Sequence, residues 1–469
     1  MKISACIIAK NEEKNLPRLL RSLKGKFDEI ILVDTGSTDR TVEIAESFGC
    51  KVFRHRWKGF ADARNRAVKE ATGDWLWHFD ADFELEEEEY KKALLVLKGA
   101  PPEVEAFSIG VKNFDLDGRV KSISSHIFIH RRGIEWKGKV HESPKVNRVV
   151  GIPVFVNHYG YAVPDLLLKK AKRNLSLLKE ELSLLNKGSR EYNYRLFFLV
   201  QTYIILSAED KKYLNLVIEH AKEFLENAKK EPEEYGFFLV FMYNYYGRAL
   251  WKLDKYEELR RVIKEFRELG FKLPEISFLA YLLSKKENKA DEAVDNLVDS
   301  AVLFDMLSEN PFSLKWGGVS EFLPLFENEI LNKEPPKVSE KKIRDIEKLW
   351  RKKGGRNLGL LVFWLTRKER VLKKLVLKYQ EDLLLYALLV NELVKSSKKD
   401  EVEKFSRMGL KFSELFAAQL YEWEGRRKEA LCLFLTLLQK KPSKLLFSYL
   451  LGKYPELSKI LSASDDNGK

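Results

Sequence analysis

The chain has 469 residues, 45% of them hydrophobic and 33% charged, which is too long for one core and predicts a globular protein of two or three domains. Its 83 basic and 70 acidic residues leave a net charge of +13, suited to anionic phosphates or an acidic lipid surface, or equally to the Lys/Glu-rich surface of a heat-adapted protein. The N-terminal apolar run is too short for a secretory signal, and no stretch of about 18 uncharged apolar residues occurs, so a cytoplasmic location is expected.

Cys6, Cys50 and Cys432 have neither metal-ligand nor redox spacing, which fits a reducing compartment. The charge is diffuse and no recognition motif is present, so nucleic acid is not an expected partner.

ISACIIA (3–9) is a continuous apolar run, the pattern of a strand buried on both faces, and a helical pattern follows from Asn11 to Leu23. EIILVD (29–34) is a second such strand, and Ser37 or Thr38 can cap a helix from about Asp39 to Phe48. KVFRH (51–55), a helix from Phe60 to Ala71 and DWLWHF (74–79) complete the alternation, ending at Asp80-Ala81-Asp82. Alternating strands and helices predict a parallel sheet, whose ligands bind at the carboxyl ends of the strands. Asn11, Asp34 and Asp80 all fall at those ends.

AFSIGVKNF (106–114) and SSHIFIHR (124–131) read as antiparallel strands around a turn at Asp115 to Gly118, and VFVNHYGY (154–161) reads as a last strand. Beyond Asp165 nearly everything has helical period. Tyr245 to Leu253 with Tyr256 to Leu269 forms one hairpin. Ala417 to Glu424 with Arg426 to Gln439 forms another, with a turn Gly425 and trailing Pro442 of the tetratricopeptide kind. Pro335-Pro336 in NKEPPKVS (332–339) breaks this half. The expected architecture is thus an α/β, Rossmann-like, mostly parallel catalytic domain over 1–162. It is followed by an all-α solenoid of tetratricopeptide-like hairpins over 163–331 and 340–469.

Two carboxylates spaced as Asp80 and Asp82 at a strand end can face one hard divalent cation, which in turn can bridge a diphosphate. Such pairs also occur as ordinary turns, the reading given to Asp115 and Asp117. Three elements in order, IIAKNEEKNL, ILVDTGSTDRTVEIA and FADARNRAVKEATGDWLWHFDAD, resemble the nucleotide-binding half of family-2 glycosyltransferases of the GT-A fold. IEWKGKVHESP (134–144) and VNHYGY (156–161) are similar to a narrower branch that includes lipopolysaccharide-core glucosyltransferases and peptide S-glycosyltransferases.

The resemblance implies an inverting, metal-dependent glycosyltransferase of the hexosyltransferase type, moving a sugar from a nucleotide-sugar, with UDP the expected nucleotide. The acceptor would be a glycan, a lipid-linked saccharide or a peptide. It implies that Asn11, Glu12, Asp34, Arg64 and Asp80 bind the nucleotide, with Asp62 and Asn65 shaping the loop around Arg64. Asp80 and Asp82 would hold Mn²⁺ or Mg²⁺, with His158 a third ligand. Where relatives carry a second Asp after Asp34, this chain has Thr35.

Glu142 in VHESP is the expected base, with His141 orienting it or touching the diphosphate. A salt bridge from Glu142 to Lys139 and a strand-end role for His158 are the purely structural alternatives. His78 reads as a buried, hydrogen-bonded residue, and Trp136 as either a sugar platform or core. The basic segment 341–374 reads as a surface for an anionic acceptor or the inner face of a membrane, or as a solvated helical face. Two other functions compete: a decayed transferase serving as a helical scaffold, and a nucleotidyltransferase. The latter usually has a Gly-rich phosphate loop where this chain has Lys10-Asn11-Glu12-Glu13.

Overall fold

The computed structural model describes residues 1–114, 120–159, 164–309, 325–330, 333–440 and Tyr454. The Asp115 to Gly118 turn and Pro442 lie outside the described residues. Two units divide the chain: one holds the described residues up to 279, the other the described residues from 280 onward.

The first unit is built on an eight-stranded sheet of order β3-β2-β1-β4-β7-β6-β10-β5. β1 (Ile3–Ala9), buried at every position, lies between β2 (Glu29–Asp34) and β4 (Trp75–Asp80), and β3 (Lys51–Arg54) flanks β2, all parallel. β5 (Phe83–Glu84) pairs with the far end of β10 (Val149–His158). β7 (Val120–Arg131) runs antiparallel to both β4 and β6 (Ala106–Phe114), and β10 runs parallel to β6. β8 (Trp136–Lys137) and β9 (Ser143–Pro144) form a separate two-stranded ribbon.

The connecting helices follow the apolar spacing. α1 (Leu16–Leu23) buries Leu16, Leu19, Leu20 and Leu23 under the sheet, and starts later than its pattern because Glu12 to Asn15 form a turn closed by Glu12 O. α2 (Thr41–Ser47) also starts late: Asp39, not Ser37 or Thr38, accepts the Thr41 N–H, while Ser37 and Thr38 serve the neighbouring loop. α3 (Phe60–Glu70) and α4 (Glu87–Lys98) complete the α/β part.

α5 (Pro164–Ser183), α6 (Arg190–Leu206), α7 (Lys212–Ala228), α8 (Pro232–Lys252) and α9 (Tyr256–Glu268) then pack each against the next. The second unit is helical as well, and successive helices from Glu340–Lys353 to Arg427–Lys440 stack in chain order. A mostly parallel α/β sheet followed by a largely helical region is therefore the fold. Among the described residues no helix is long and apolar enough to cross a membrane.

Candidate active site

Strand direction alone gathers the site. β1, β2 and β4 end on one side of the sheet and deliver Asn11, Asp34 and Asp80 there. β7 runs against β4, so its first half returns to the same side with His126, and β10 ends there at His158.

The loops after β1 and β2 are laced together. Asn11, at φ +57°, donates its N–H to Ser37 Oγ (2.9 Å), and its side-chain oxygen accepts from the Thr38 N–H (2.8 Å). The Glu12 N–H donates to Thr41 Oγ1 at 2.7 Å, and burial pushes the Glu12 carboxyl above its usual range although Asn15 pulls it down. The Asp34 carboxylate is buried and accepts from the Ser37 N–H (3.0 Å) and the Gly36 N–H (3.3 Å), turned into its own loop. The Thr35 hydroxyl donates to Ala9 O, holding the two strand ends together.

Arg64 of α3 reaches the site from beneath. Its side chain is 3% exposed, with Nε donating to Glu142 Oε1 (2.7 Å) and Nη2 to Asp80 Oδ1 (2.8 Å). The guanidinium lies over the Trp136 ring, 4.8 Å from its centroid. One buried cation therefore links the end of β4 to the loop before β9. Burial pushes the Glu142 carboxyl up, against the downward pull of Arg64. Glu142 thus bonds Arg64, while Lys139 pairs with Glu180.

Asp82 and His158 meet at 3.1 Å, Oδ2 to Nε2, across the β5–β10 pair. His158 Nδ1 is 2.6 Å from Asn113 Oδ1, which accepts its proton in the neutral ring. With Nδ1–H on Asn113, Nε2 donates to Asp82 when the ring is protonated and offers its lone pair to a shared cation when it is neutral. Burial works against ionisation of Asp82, but the His158 contacts outweigh it and hold the carboxyl below its usual range. Among the described residues no three His, Cys, Asp or Glu side chains form a ready-made metal cage. A pair fits a hard cation that takes its remaining ligands from substrate phosphates.

His141 stacks flat on Phe198 of α6, with centroids 3.8 Å apart, and burial with Arg195 nearby holds its imidazole down at about 3. Trp136 is only 4% exposed, donates its indole N–H to His130 Nε2 (3.0 Å) and lies in the core cluster, so it supports Arg64 rather than presenting an open platform. His78 is fully buried against His130, 2.9 Å between Nε2 atoms. Asn65 ties the ribbon down, exchanging hydrogen bonds with the Trp136 backbone at 2.7 and 3.0 Å, and Asp62 pairs with His55.

Sequence reasoning missed Asn113, His126, Glu181 and Arg195. Asn113 and His126 need the antiparallel register of β6 and β7, and Arg195 and Glu181 sit in helices whose pattern reads as plain packing. A charged Arg195 among the buried residues of α6 was the one available signal.

Residues 4–155 match the family model described as glycosyl transferase family 2. A tetratricopeptide-repeat-containing protein of Synechococcus elongatus is 36% identical over 173 residues, 34% of this chain and 42% of that protein. The SPbeta prophage-derived glycosyltransferase SunS of Bacillus subtilis is 29% identical over 250 residues, 50% of this chain and 56% of that protein. The matches thus span about half the length of these relatives. Among solved structures, S. aureus TarS 1–349 in complex with UDP-GlcNAc aligns at 14% identity and a TM-score of 0.29, covering 64% of this chain and 90% of that one. The α/β part of this chain, with its mostly parallel sheet, thus carries the match to the glycosyl transferase family 2 domain.

Proposed function

We propose that the chain is an inverting, metal-dependent glycosyltransferase that moves a sugar from a UDP-sugar to a glycan, lipid-linked saccharide or peptide acceptor. The observation that carries this reading is a pair of carboxylates at one end of the sheet whose surroundings push them apart. Asp82 is held ionised beside His158, and Glu142 is raised by burial beside Arg64. Opposed tendencies in acids at one end of the sheet suit one to binding charge and the other to moving a proton.

In this reading Glu142 takes the proton of the acceptor hydroxyl or thiol as the new glycosidic bond forms and the sugar–phosphate bond breaks with inversion. Arg64 sets the distance between Glu142 and Asp80, so acceptor and donor sides are fixed relative to each other. The Asn11–Ser37–Thr38 lacing fixes the loops that would hold the nucleoside. Asp82 and His158, with Asp80 adjacent, would hold Mn²⁺ or Mg²⁺, which when bound neutralises charge on the departing diphosphate.

The reaction belongs in the cytoplasm or at the inner membrane face, where the exposed Arg351, Lys352 and Lys353 of the second unit suit an anionic surface.

Calorimetric titration with UDP, GDP and dTDP, with Mn²⁺ or with chelator, tests the proposal. Metal-dependent binding of one nucleotide that disappears in Asp82→Ala supports it. Absence of binding to all three under both conditions refutes it.

A further inference from the structure

We propose that Arg195, in the helical part of the first unit, is a positioning residue for Glu142, and that the α5–α6 hairpin is therefore a working part of the catalytic site. The inference rests on the assignment of Glu142 as base.

The loop from Gly138 to Glu142 is gripped from three directions. From α3, the Phe60 N–H donates to Lys139 O (3.0 Å) and the Ala61 N–H to Gly138 O (3.3 Å). From α5, Glu181 Oε1 accepts the Lys139 N–H at 2.8 Å. From α6, Arg195 Nη1 donates to Val140 O (3.3 Å) and His141 O (3.2 Å), and its Nε lies 3.5 Å from Glu181 Oε2. The two carbonyls bonded by Arg195 belong to the residues immediately before Glu142, whose carboxylate is bonded by Arg64.

The fit leaves no slack. Arg195 is 7% exposed on its side chain, and a Cβ on Gly138 would stand 2.4 Å from its Nη2. Gly138 also has φ +99°, and His141 is held at φ +51° with its ring flat on Phe198. Burying a guanidinium merely to pack two helices on a loop is a poor exchange, since apolar residues of similar volume do that as well or better. What a buried guanidinium adds is directional bonds that fix carbonyl positions in a backbone of unfavoured φ. A base displaced by about 1 Å loses on the order of 10²-fold in rate, so a grip of this kind has a catalytic consequence.

The test uses the full chain with Arg195→Ala, Arg195→Lys and Glu181→Gln, read two ways. With a lysine-specific protease, Lys137 and Lys139 should be cut at least about tenfold faster in Arg195→Ala than in the wild type, as expected for a loop released by local opening, with Arg195→Lys intermediate. With UDP-glucose, Mn²⁺ and water as the acceptor, the rate constant for hydrolysis to UDP and glucose should fall about 10²-fold in Arg195→Ala, the dissociation constant for UDP should stay within about twofold, and Arg195→Lys should recover part of the rate.

Equal protease protection in wild type and Arg195→Ala overturns the inference, and so does a loosened loop with an unchanged rate constant. If Arg195→Ala does not fold, Arg195→Lys and Glu181→Gln decide by the same two criteria. Absence of UDP release by the wild type counts against the proposed transfer itself, and the protease result still decides whether the hairpin holds the loop.

Discussion

Replacing Arg64 with Met removes the cation bonded to both Glu142 and Asp80 and keeps most of the side-chain volume. Asp80, with 41% of its side chain exposed, regains water. Glu142, at 11%, cannot, and the cost falls on it. A buried carboxyl that loses its bonded cation escapes by binding a proton, which caps the loss. Holding a group of ordinary pKa 4.5 neutral at pH 7 costs about 1.4 kcal/mol per pH unit, hence at most about 3 kcal/mol.

The sign follows from the raised pKa. An acid whose folded pKa exceeds its unfolded one stabilises the fold less as pH rises from 4.5 toward the folded value, and the loss levels off above it. Urea melts of Arg64→Met and wild type at pH 5, 6, 7 and 8 should show a gap near zero at pH 5 that widens to about 2–3 kcal/mol at neutral pH. Arg64→Met with Glu142→Gln should restore most of it. A gap of the same size at pH 5 and pH 8, or no restoration in the double variant, would refute the reasoning.

Glu142→Gln should lower the transfer rate constant about 10²- to 10⁴-fold and leave calorimetric UDP binding unchanged, because the amide cannot take the acceptor proton. The wild-type rate should fall on acidification at a pH above 4.5, read from an initial-rate profile, since burial raises that carboxyl. His130 is held neutral at about 4 by burial, against an ordinary 6.5, so its share of stability is intact above pH 6.5 and lost between there and about pH 4; it contributes about 3 kcal/mol of the loss in denaturant melts across that range, and His130→Gln should reduce the slope by that share. In the second unit, Asp305 accepts the Asn357 and Leu358 N–H groups at 2.9 Å and starts the helix Arg356–Thr366, so Asp305→Ala should cost about 1–2 kcal/mol in a thermal or urea melt.

The sheet was legible because β1, β2 and β4 are short apolar runs buried on both faces, and their parallel order follows from the helices between them. That order also places Asn11, Asp34 and Asp80 together without any long-range information. The start of β7 at Val120 and its insertion between β4 and β6 were not legible, because antiparallel partners are chosen by tertiary packing and leave no local period. Nor was the use of Ser37 and Thr38, which look like helix caps but bond Asn11 across the neighbouring loop. The same holds for Glu181 and Arg195, whose partners lie about 40 and 55 residues earlier in the chain.

The irregular stretch of β10 sets an arithmetic on the site. Gly151 pairs with Ser108 and Phe155 with Gly110, so β10 advances four residues while β6 advances two. The surplus is even, and side chains beyond it keep the alternation they would have had in a regular strand. Deleting one residue between Gly151 and Phe155 would reverse that parity and set Tyr159 in the place that His158 now holds beside Asp82. Deleting two would keep the parity and remove the kink. The Asp82–His158 contact at the end of this strand therefore tolerates length changes in pairs and not singly, so chains carrying this strand should differ here by even counts wherever the histidine is kept.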